Sequence, residues 1–524
     1  MFPRYISLHV PSVFLMQSPL TLFSTGPKHI SRPIRVIPLT SKAMKTTAGL
    51  ITALISVAAH GLRTRDGAGG PTPPGKWRIS PIDGSKIALP TKEQLAFQDR
   101  EMGCLIHFNL ATYIAQDGCN GDPALVPPRS LFDPARLDTD QWMEAIKSLG
   151  GKYATLVAKH NCGFTTWPTK VSFKDLAGET VLYNYTIAQS PAKGRDVVED
   201  FVESASRYGF GRGLYYSVVV NNYLNVQSAH VRNVPAGPGQ AGITTDVYND
   251  IVFEQLEELW SNYGNMTEIW FDGGYSGDQK DRIQSLLQKT QPNAVIFNGC
   301  QDDGSCVSDN SIRWIGNELG HAEEENWSTG LTKSGESDSP WFTPSECDTT
   351  LQTGDRWFFG VDTPLRSLAE LIKVYHETVG RNCVLALDMS PDRRGLIPDS
   401  HVTRYKQLGD FIRQCYDDHP VQPSCEKRDE AQGSYRLTFD EPAEIDRVVL
   451  MEDQTDGQVI RTYQVWGRQG KDGLDDWSLL SNGTSVGHKK IDLFMKPVTV
   501  SEVMVNSTFV DTPKWRSVTV HKCS

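Results

Sequence analysis

From about residue 95 to residue 415, short apolar runs alternate with stretches in which apolar residues recur at helical spacing. The apolar runs predict strands over residues 103–108, 153–160, 213–220, 268–272, 294–298, 312–316 and 384–387. The helical spacing predicts helices over residues 140–147, 197–208, 247–263, 281–290 and 367–379. Seven or eight such alternations favour a (β/α)8 barrel. A doubly wound sheet is less favoured, because no glycine-rich dinucleotide turn follows the first strand.

After Cys425 the pattern changes to short runs in which apolar and polar residues alternate, separated by turn sequences such as Asp456-Gly457. The alternation predicts strands over residues 435–439, 447–451, 463–466, 498–505 and 517–521. Such a series is typical of an antiparallel β-sandwich. We therefore predict an α/β chain in which a (β/α)8-like barrel, residues 85–418, is followed by an antiparallel β-sandwich, residues 419–524. The Gly- and Pro-rich residues 62–84 are interpreted as a linker.

Composition and charge exclude several classes of partner. The 524 residues carry a formal net charge of −11, which disfavours nucleic acid and anionic membranes. No apolar run reaches the roughly 18 residues that a membrane-spanning helix needs. The sequence gives no indication of the oligomeric state.

The N-terminal region predicts secretion. No acidic residue precedes Asp66, and this stretch contains Met44-Lys45, an apolar run over residues 48–59 and a small-residue end at Ala59. These are the parts of a secretory signal peptide. We interpret residues 1–61 as an upstream extension followed by a signal peptide that starts at Met44. A mitochondrial transit peptide is the alternative, because the stretch also contains arginines. The predicted N-glycosylation sites are the five N-x-Ser/Thr sequons at Asn184, Asn265, Asn326, Asn482 and Asn506.

The ten cysteines also suit a protein outside the cell. They show no repeated Cys-x-x-Cys zinc pattern. The local pairs are candidate disulfides, although spacing alone does not fix the connectivity: Cys104/Cys119, Cys300/Cys306 and Cys415/Cys425.

Polar side chains follow four of the predicted barrel strands: His107, His160, Asp272 and Glu318. The carboxyl ends of barrel strands share one face, so two histidines and two carboxylates would converge there. Paired carboxylates serve glycoside hydrolysis, in which one attacks the anomeric carbon and the other shuttles a proton. Flat apolar faces for a sugar ring would come from Trp167, Trp270, Trp314 and Tyr216.

Other interpretations of these residues stay open. Asp272 precedes two glycines and could be a turn residue, and Glu318 could cap a helix. His107, His160 and Asp272 could together bind zinc, but no His-x-His or His-Glu-x-x-His spacing occurs, so we predict no metal. A serine hydrolase is disfavoured because no Gly-x-Ser-x-Gly elbow is present.

These segments together resemble glycoside hydrolase family 29, the α-L-fucosidases. The resemblance spans about 300 residues and is carried by residues 105–108, 131–134, 140–142, 151–164, 213–217, 270–274 (Trp-Phe-Asp-Gly-Gly), 313–318 (Arg-Trp-Ile-Gly-Asn-Glu) and 380–383. It implies a retaining exo-fucosidase on a (β/α)8-like barrel, with no cofactor and with Asp272 as the nucleophile. The predicted substrate-binding residues are His107, His160, Asn161, Trp167, Tyr216, Trp270, Arg313 and Trp314.

The acid/base varies in position within this family. Glu318 follows Asp272 by 46 residues, which resembles the subgroup that cleaves α-1,3/1,4-fucosyl branches, and Glu346 is its rival. The chain departs from the family at Asn161 and Cys162, where a second histidine and an aspartate are common. The C-terminal segment resembles a galactose-binding-like, discoidin-type sandwich, which would either bind sugar or buttress the barrel.

The expected function is extracellular hydrolysis of terminal α-L-fucose from a fucosylated oligosaccharide or glycoconjugate by double displacement. One alternative is a catalytically weak glycan-binding protein on a fucosidase scaffold, which the presence of both Asp272 and Glu318 disfavours. Another is a retaining glycosidase for a related sugar such as α-L-galactose.

Overall fold

A computed structural model describes residues 76–523, except residues 115, 120, 302, 418–419 and 471–475. The predicted upstream extension and signal peptide, residues 1–61, lie outside the described residues. Of the segment interpreted as a linker, residues 76–79 form a strand instead, because they pair antiparallel with residues 86–89. Among the described residues, no helix has the length and apolar character that crossing a membrane requires.

The strands, in chain order, are β1 (Lys76–Ile79), β2 (Lys86–Leu89), β3 (Met102–Ile106), β4 (Tyr153–Lys159), β5 (Ser172–Lys174), β6 (Thr180–Leu182), β7 (Gly211–Ser217), β8 (Val226–Gln227), β9 (His230–Val231), β10 (Glu268–Asp272), β11 (Val295–Phe297), β12 (Ser311–Trp314), β13 (Ser345–Thr349), β14 (Cys383–Met389), β15 (Cys425–Asp429), β16 (Ser434–Glu452), β17 (Ile460–Arg468), β18 (Ser478–Gly483), β19 (Lys490–Phe509) and β20 (Trp515–His521). The α-helices are α1 (Lys92–Gln98), α2 (Thr139–Leu149), α3 (Val197–Tyr208), α4 (Thr245–Asn262), α5 (Lys280–Thr290), α6 (Leu368–Glu377) and α7 (Asp399–Ile412). Short 3₁₀ turns lie at Leu110–Tyr113, Arg129–Leu131, Ile187–Gln189, Asn222–Leu224, Gly277–Gln279 and Glu430–Gln432, and a π-helical turn at Arg413–Asp417 follows α7.

Eight parallel strands form a closed barrel: β3, β4, β7, β10, β11, β12, β13 and β14. Their order around the barrel is their order along the chain, and β14 closes the ring by pairing with β3. The predicted (β/α)8-like barrel is therefore confirmed. In the described residues, the connections from β11 to β12 and from β12 to β13 contain no α-helix.

Local sequence accounts for most of these elements. Helix α2 begins at the side-chain cap Asp138 and ends at Gly150, whose φ of 90° is readily adopted only by glycine. Strand β13 is not predicted from the sequence, because its residues, Ser-Glu-Cys-Asp-Thr, are mostly polar. All five are nevertheless buried, since this strand completes the barrel and its side chains hydrogen-bond inside it.

The C-terminal region is an antiparallel β-sheet domain, as predicted, with its own hydrophobic core. The two long strands β16 and β19 each change register, and β20 pairs with the second half of β16. The two strands predicted over residues 435–439 and 447–451 are therefore halves of one strand. The domain packs on the barrel, where Gln454 donates to Gln98 and the Lys490 ammonium group contacts Glu324.

Four disulfides are present: Cys119–Cys162, Cys300–Cys306, Cys347–Cys383 and Cys415–Cys523. The Cys300/Cys306 prediction is confirmed. The other two predicted pairs are wrong, because Cys119 and Cys415 bond to distant cysteines that the fold brings close. Cys104 is buried without a disulfide, and Cys425 is exposed without one.

The sequons differ in accessibility. Asn184, Asn265 and Asn482 are exposed, and Asn506 is half-buried. Asn326 is buried, and its amide nitrogen donates to Ser345 Oγ and to the Arg381 carbonyl. The prediction of a glycan at Asn326 is therefore corrected, because that side chain has neither space nor a free amide group for one.

Candidate active site

A cavity of about 260 Å³ opens at the carboxyl ends of the barrel strands. Barrel residues and the residues that follow their strands line it: Leu105, His107, His160, Tyr215, Trp270, Asp272, Glu318 and Asp348. Loop residues complete the wall: Asp117, Asp355, Trp357 and Phe358. Four of the predicted functional side chains, His107, His160, Asp272 and Glu318, therefore converge on one pocket, together with Trp270.

Asp272 is the last residue of β10 and is half-buried at the pocket wall. The Tyr215 hydroxyl group donates a hydrogen bond to Asp272 Oδ2. Burial raises the pKa of Tyr215, and the negative charge of Asp272 adds to that shift, so the phenol stays a neutral donor. After Asp272 the chain turns at Gly273, whose φ is 69° and whose added Cβ would lie 2.7 Å from Val219. Only glycine allows the chain to leave the strand so sharply at this point.

Glu318 lies in the loop after β12 and is fixed by two hydrogen bonds. Thr349 Oγ1 donates to the Glu318 backbone carbonyl at 2.8 Å, and Trp357 Nε1 donates to Glu318 Oε2 at 3.1 Å. Burial raises the pKa of Glu318, the hydrogen bond from Trp357 opposes the shift, and the negative charge of Asp272 adds to it. A carboxyl group with a raised pKa holds its proton to a higher pH than an ordinary glutamate and can donate it.

Glu346, the rival acid/base, lies beneath the pocket and does not line it. It is fully buried and accepts hydrogen bonds from Tyr153 Oη and Trp270 Nε1, each at 2.8 Å. Burial raises the pKa of Glu346, and the neighbouring Glu268 carboxylate raises it further. Glu346 therefore anchors the Trp270 indole from below and has no open path to a glycosidic oxygen.

The two histidines are neighbours in the pocket wall and pack edge to face, with ring centroids 6.0 Å apart. His107 Nδ1 contacts Asp388 Oδ1 at 2.8 Å, which fixes the orientation of the imidazole. The His160 ring stacks on Tyr215. Burial lowers the pKa of both histidines, so neutral imidazoles face the cavity. Neutral imidazoles can donate to or accept from sugar hydroxyl groups without adding charge.

Five predicted substrate-binding residues do not line this pocket. Asn161 accepts from the Cys119 amide, Trp167 donates to Glu258, Tyr216 donates to Gln255, Arg313 donates to Asn326, and Trp314 donates to Asp348. The correction from Tyr216 to Tyr215 follows from strand geometry, because successive side chains point to opposite sides of a strand. The Cys119–Cys162 disulfide accounts for the cysteine at position 162, because it ties two loops together, and Asn161 accepts from the Cys119 amide at the same junction.

Five further residues, on loops and on β13, line the pocket and were not predicted from the sequence: Asp117, Asp348, Asp355, Trp357 and Phe358. Asp117 accepts from the backbone amides of Trp357 and Phe358 at 2.9 and 2.8 Å, which fixes both aromatic residues in the pocket wall. The three consecutive aromatic residues at positions 357–359 were the feature of the sequence that could have indicated this part of the pocket wall. Within the described residues, no cluster of histidine, cysteine or acidic side chains has a geometry suited to a metal ion.

Comparison with known proteins identifies the family. The family model described as alpha-L-fucosidase matches residues 126–416. The α-L-fucosidase 1 of Arabidopsis thaliana is 24% identical over 460 residues, which cover 79% of this chain and 83% of that protein. The plasma α-L-fucosidase of Homo sapiens is 25% identical over 291 residues, which cover 54% of this chain and 55% of that protein.

A solved structure shares the fold. A Ruminococcus gnavus family 29 fucosidase in complex with fucose has a TM-score of 0.69 and 20% identity, over 86% of this chain and 99% of that chain. The matched family model covers more than half of the chain and includes most of the residues that line the pocket. The chain therefore belongs to the α-L-fucosidase family and is a glycoside hydrolase that releases fucose.

Proposed function

We propose that this enzyme is a secreted, retaining exo-fucosidase that removes terminal α-L-fucose by double displacement. The observation that carries this proposal is the convergence of Asp272 and Glu318 on one small pocket. The two carboxyl groups have different surroundings, since Asp272 accepts from a phenol, whereas Glu318 accepts from the Trp357 indole and has a raised pKa. Such a difference separates the roles of nucleophile and proton donor.

In the first step, an Asp272 oxygen attacks the anomeric carbon of the fucoside. The bond to the glycosidic oxygen breaks, and Glu318 gives its proton to that oxygen as the aglycone leaves. In the second step, Glu318 takes a proton from water, the water oxygen attacks the anomeric carbon, and the Asp272 carboxylate leaves. The sugar configuration inverts twice and is retained overall.

The pocket supports selection of one terminal sugar. Its wall combines the Trp270 and Trp357 rings with the two neutral histidines His107 and His160. The aromatic faces suit the apolar side of fucose, including its methyl group, while the imidazoles suit its hydroxyl groups. The floor is filled by Glu346 and the stacked pair Trp270 and Phe297, whose centroids are 3.8 Å apart. A closed floor favours cleavage at chain ends.

We further propose that the substrates are α-1,3/1,4-fucosyl branches. The basis is the spacing of 46 residues along the chain between Asp272 and Glu318. The half-buried Trp357 at the mouth supports this, because its ring lies where an aglycone sugar would pass. Secretion is supported by the four disulfides and by exposed sequons. N-terminal sequencing of protein recovered from the medium tests secretion, and we expect it to begin close to His60. A protein that still carries residues 1–43 contradicts the proposal.

The mechanism is tested by following the product with proton NMR during early turnover of a fucosyl oligosaccharide. We expect the α anomer of free fucose to appear first and then to mutarotate. If the β anomer appears first, the enzyme inverts configuration and the nucleophilic role of Asp272 is refuted. A panel of α-1,2-, α-1,3-, α-1,4- and α-1,6-fucosides, with an α-L-galactoside as comparison, tests the linkage and the sugar.

A further inference from the structure

A buried cation lies behind the pocket and has no part in the mechanism above. Lys159 is the last residue of β4, and its side chain is fully buried. Its ammonium group donates to the Ser217 backbone carbonyl and lies 4.2 Å from the centroid of the Tyr216 ring. In the part of the chain that the structure describes, no ion pair joins this ammonium group to a carboxylate.

Keeping a charge in this position is unfavourable for folding. An ammonium ion removed from water loses hydration that one carbonyl and one ring face only partly replace. Burial lowers the pKa of Lys159 to about 7, and the negative charge of Asp272 opposes that shift. A methionine of similar length would fill the space without this cost, so packing alone does not explain a lysine here.

The position of Lys159 relative to Asp272 follows from strand register. Ser217, which accepts the hydrogen bond from Lys159, lies directly opposite Asp272 in the pairing of β7 with β10. Paired strands are about 4.8 Å apart, so the ammonium group contacts the backbone of the residue beside Asp272, and the charge of Asp272 acts on Lys159. Burial lowers the pKa of His160, which leaves that imidazole neutral, and the remaining titratable groups here are acids whose pKa burial raises: Tyr215, Tyr216 and Glu318. Among these groups, Lys159 is therefore the one that carries a positive charge beside Asp272.

We propose that Lys159 is a positioning residue for the reaction: its ammonium ion stabilises the negative charge of the Asp272 carboxylate before attack and again when that carboxylate leaves in the second step. This inference rests on the proposed role of Asp272 as the nucleophile. Lys159 transfers no proton in this role, and it does not line the pocket that would hold the sugar. The competing role is structural, in which the side chain only ties β4 to β7.

Two substitutions distinguish these roles. Lys159→Met removes both the charge and the hydrogen bond, whereas Lys159→Gln removes the charge and keeps an N–H donor for the Ser217 carbonyl. Lys152→Met is the matched control, because Lys152 is an exposed lysine just before the start of the same strand. The substrate is 4-nitrophenyl α-L-fucoside, whose leaving group needs little acid assistance, so the acid limb of kcat/KM reports the ionisation of the nucleophile.

We expect the acid limb to move to higher pH by about one unit in both Lys159 variants, which is about a tenfold loss of kcat/KM below the limb. The control should keep the wild-type profile. The thermal midpoint at pH 5.5 should equal or exceed that of the wild type, because a charge buried at a cost below about pH 7 has been removed.

An unshifted acid limb in folded Lys159→Gln would overturn the proposal, since the hydrogen bond alone would then suffice. A lowered thermal midpoint together with an unshifted limb would establish the structural role. If Lys159→Met does not fold, Lys159→Gln decides. Failure of the proposed function looks different: folded Asp272→Ala would hydrolyse the same fucoside at the wild-type rate.

Discussion

The indole N–H of Trp357 donates to Glu318 Oε2 at 3.1 Å, although the two residues come from loops after different barrel strands. Glu318 follows β12 and Trp357 follows β13. Trp357 is in turn held by Asp117, which lies in the loop after β3 and accepts from the Trp357 backbone amide. Three separate segments therefore set the environment of the proposed acid/base.

Replacing the proposed nucleophile should stop catalysis without unfolding the protein. We expect Asp272→Ala to lower kcat by about 10⁴-fold or more, because no carboxylate remains to form the glycosyl–enzyme intermediate. Added azide should restore turnover and give β-L-fucosyl azide, with inverted configuration. Asp278→Ala is the control, because Asp278 is an exposed carboxylate on the same connection. Circular dichroism checks folding, and a folded variant with wild-type rates would disprove the assignment.

The proton donor is identified by leaving-group dependence. Glu318→Ala should reduce hydrolysis of fucosyl oligosaccharides by about 10²–10⁴-fold and spare the first step with 4-nitrophenyl fucoside. Azide should accelerate this variant and give α-L-fucosyl azide, with retained configuration. Glu346→Gln, compared with it, should slow all substrates to a similar degree, since its effect passes through Trp270. The reverse pattern in pre-steady-state kinetics would show that Glu346 is the acid/base.

Adjacent tyrosines on β7 provide a matched pair. Tyr215→Phe removes the hydrogen bond to Asp272 and keeps the ring stacked on Trp270, with centroids 5.2 Å apart. We expect kcat to fall about tenfold, which corresponds to about 1.4 kcal/mol. Tyr216→Phe removes a hydrogen bond to Gln255 outside the pocket, so its effect should appear in the thermal midpoint. A larger loss of kcat in Tyr216→Phe would contradict the placement of Tyr215.

Two substitutions around Glu318 should move the alkaline limb of kcat/KM in opposite directions. Glu318 donates its proton, so activity falls as the pH rises through its pKa. Asp355→Asn removes a charge that raises this pKa, so the limb should move to lower pH, by about 0.3 units for an exposed group. Trp357→Phe removes a hydrogen bond that lowers it, so the limb should move to higher pH.

A fucosyl oligosaccharide is the substrate for this measurement, because its poor leaving group depends on the acid. Asp362→Asn is the control, since Asp362 is exposed in the same loop and does not line the pocket. Shifts of the same sign in both variants would show that another group controls the alkaline limb.

The barrel, the following sheet domain and the strand ends that carry functional side chains could all be predicted from local sequence patterns. The spacing of apolar residues in strands and helices is a local property of the sequence. The carboxyl ends of barrel strands lie on one face of the barrel, independent of loop conformation. Five residues of the pocket could therefore be predicted from the sequence: His107, His160, Trp270, Asp272 and Glu318.

The neighbours that complete that pocket depend on contacts between distant segments and could not be predicted from local patterns. Tyr215 and Tyr216 are adjacent residues of the same type, so the sequence does not show which one lines the pocket. In the closed barrel, the Tyr215 side chain points into the pocket and the Tyr216 side chain points away from it. Glu346 was a rival because the acid/base varies in position within the family, and burial under Trp270 removes it from the pocket. The Cys119–Cys162 disulfide and the loop carrying Trp357 depend on contacts between residues far apart in the chain, which no local pattern encodes.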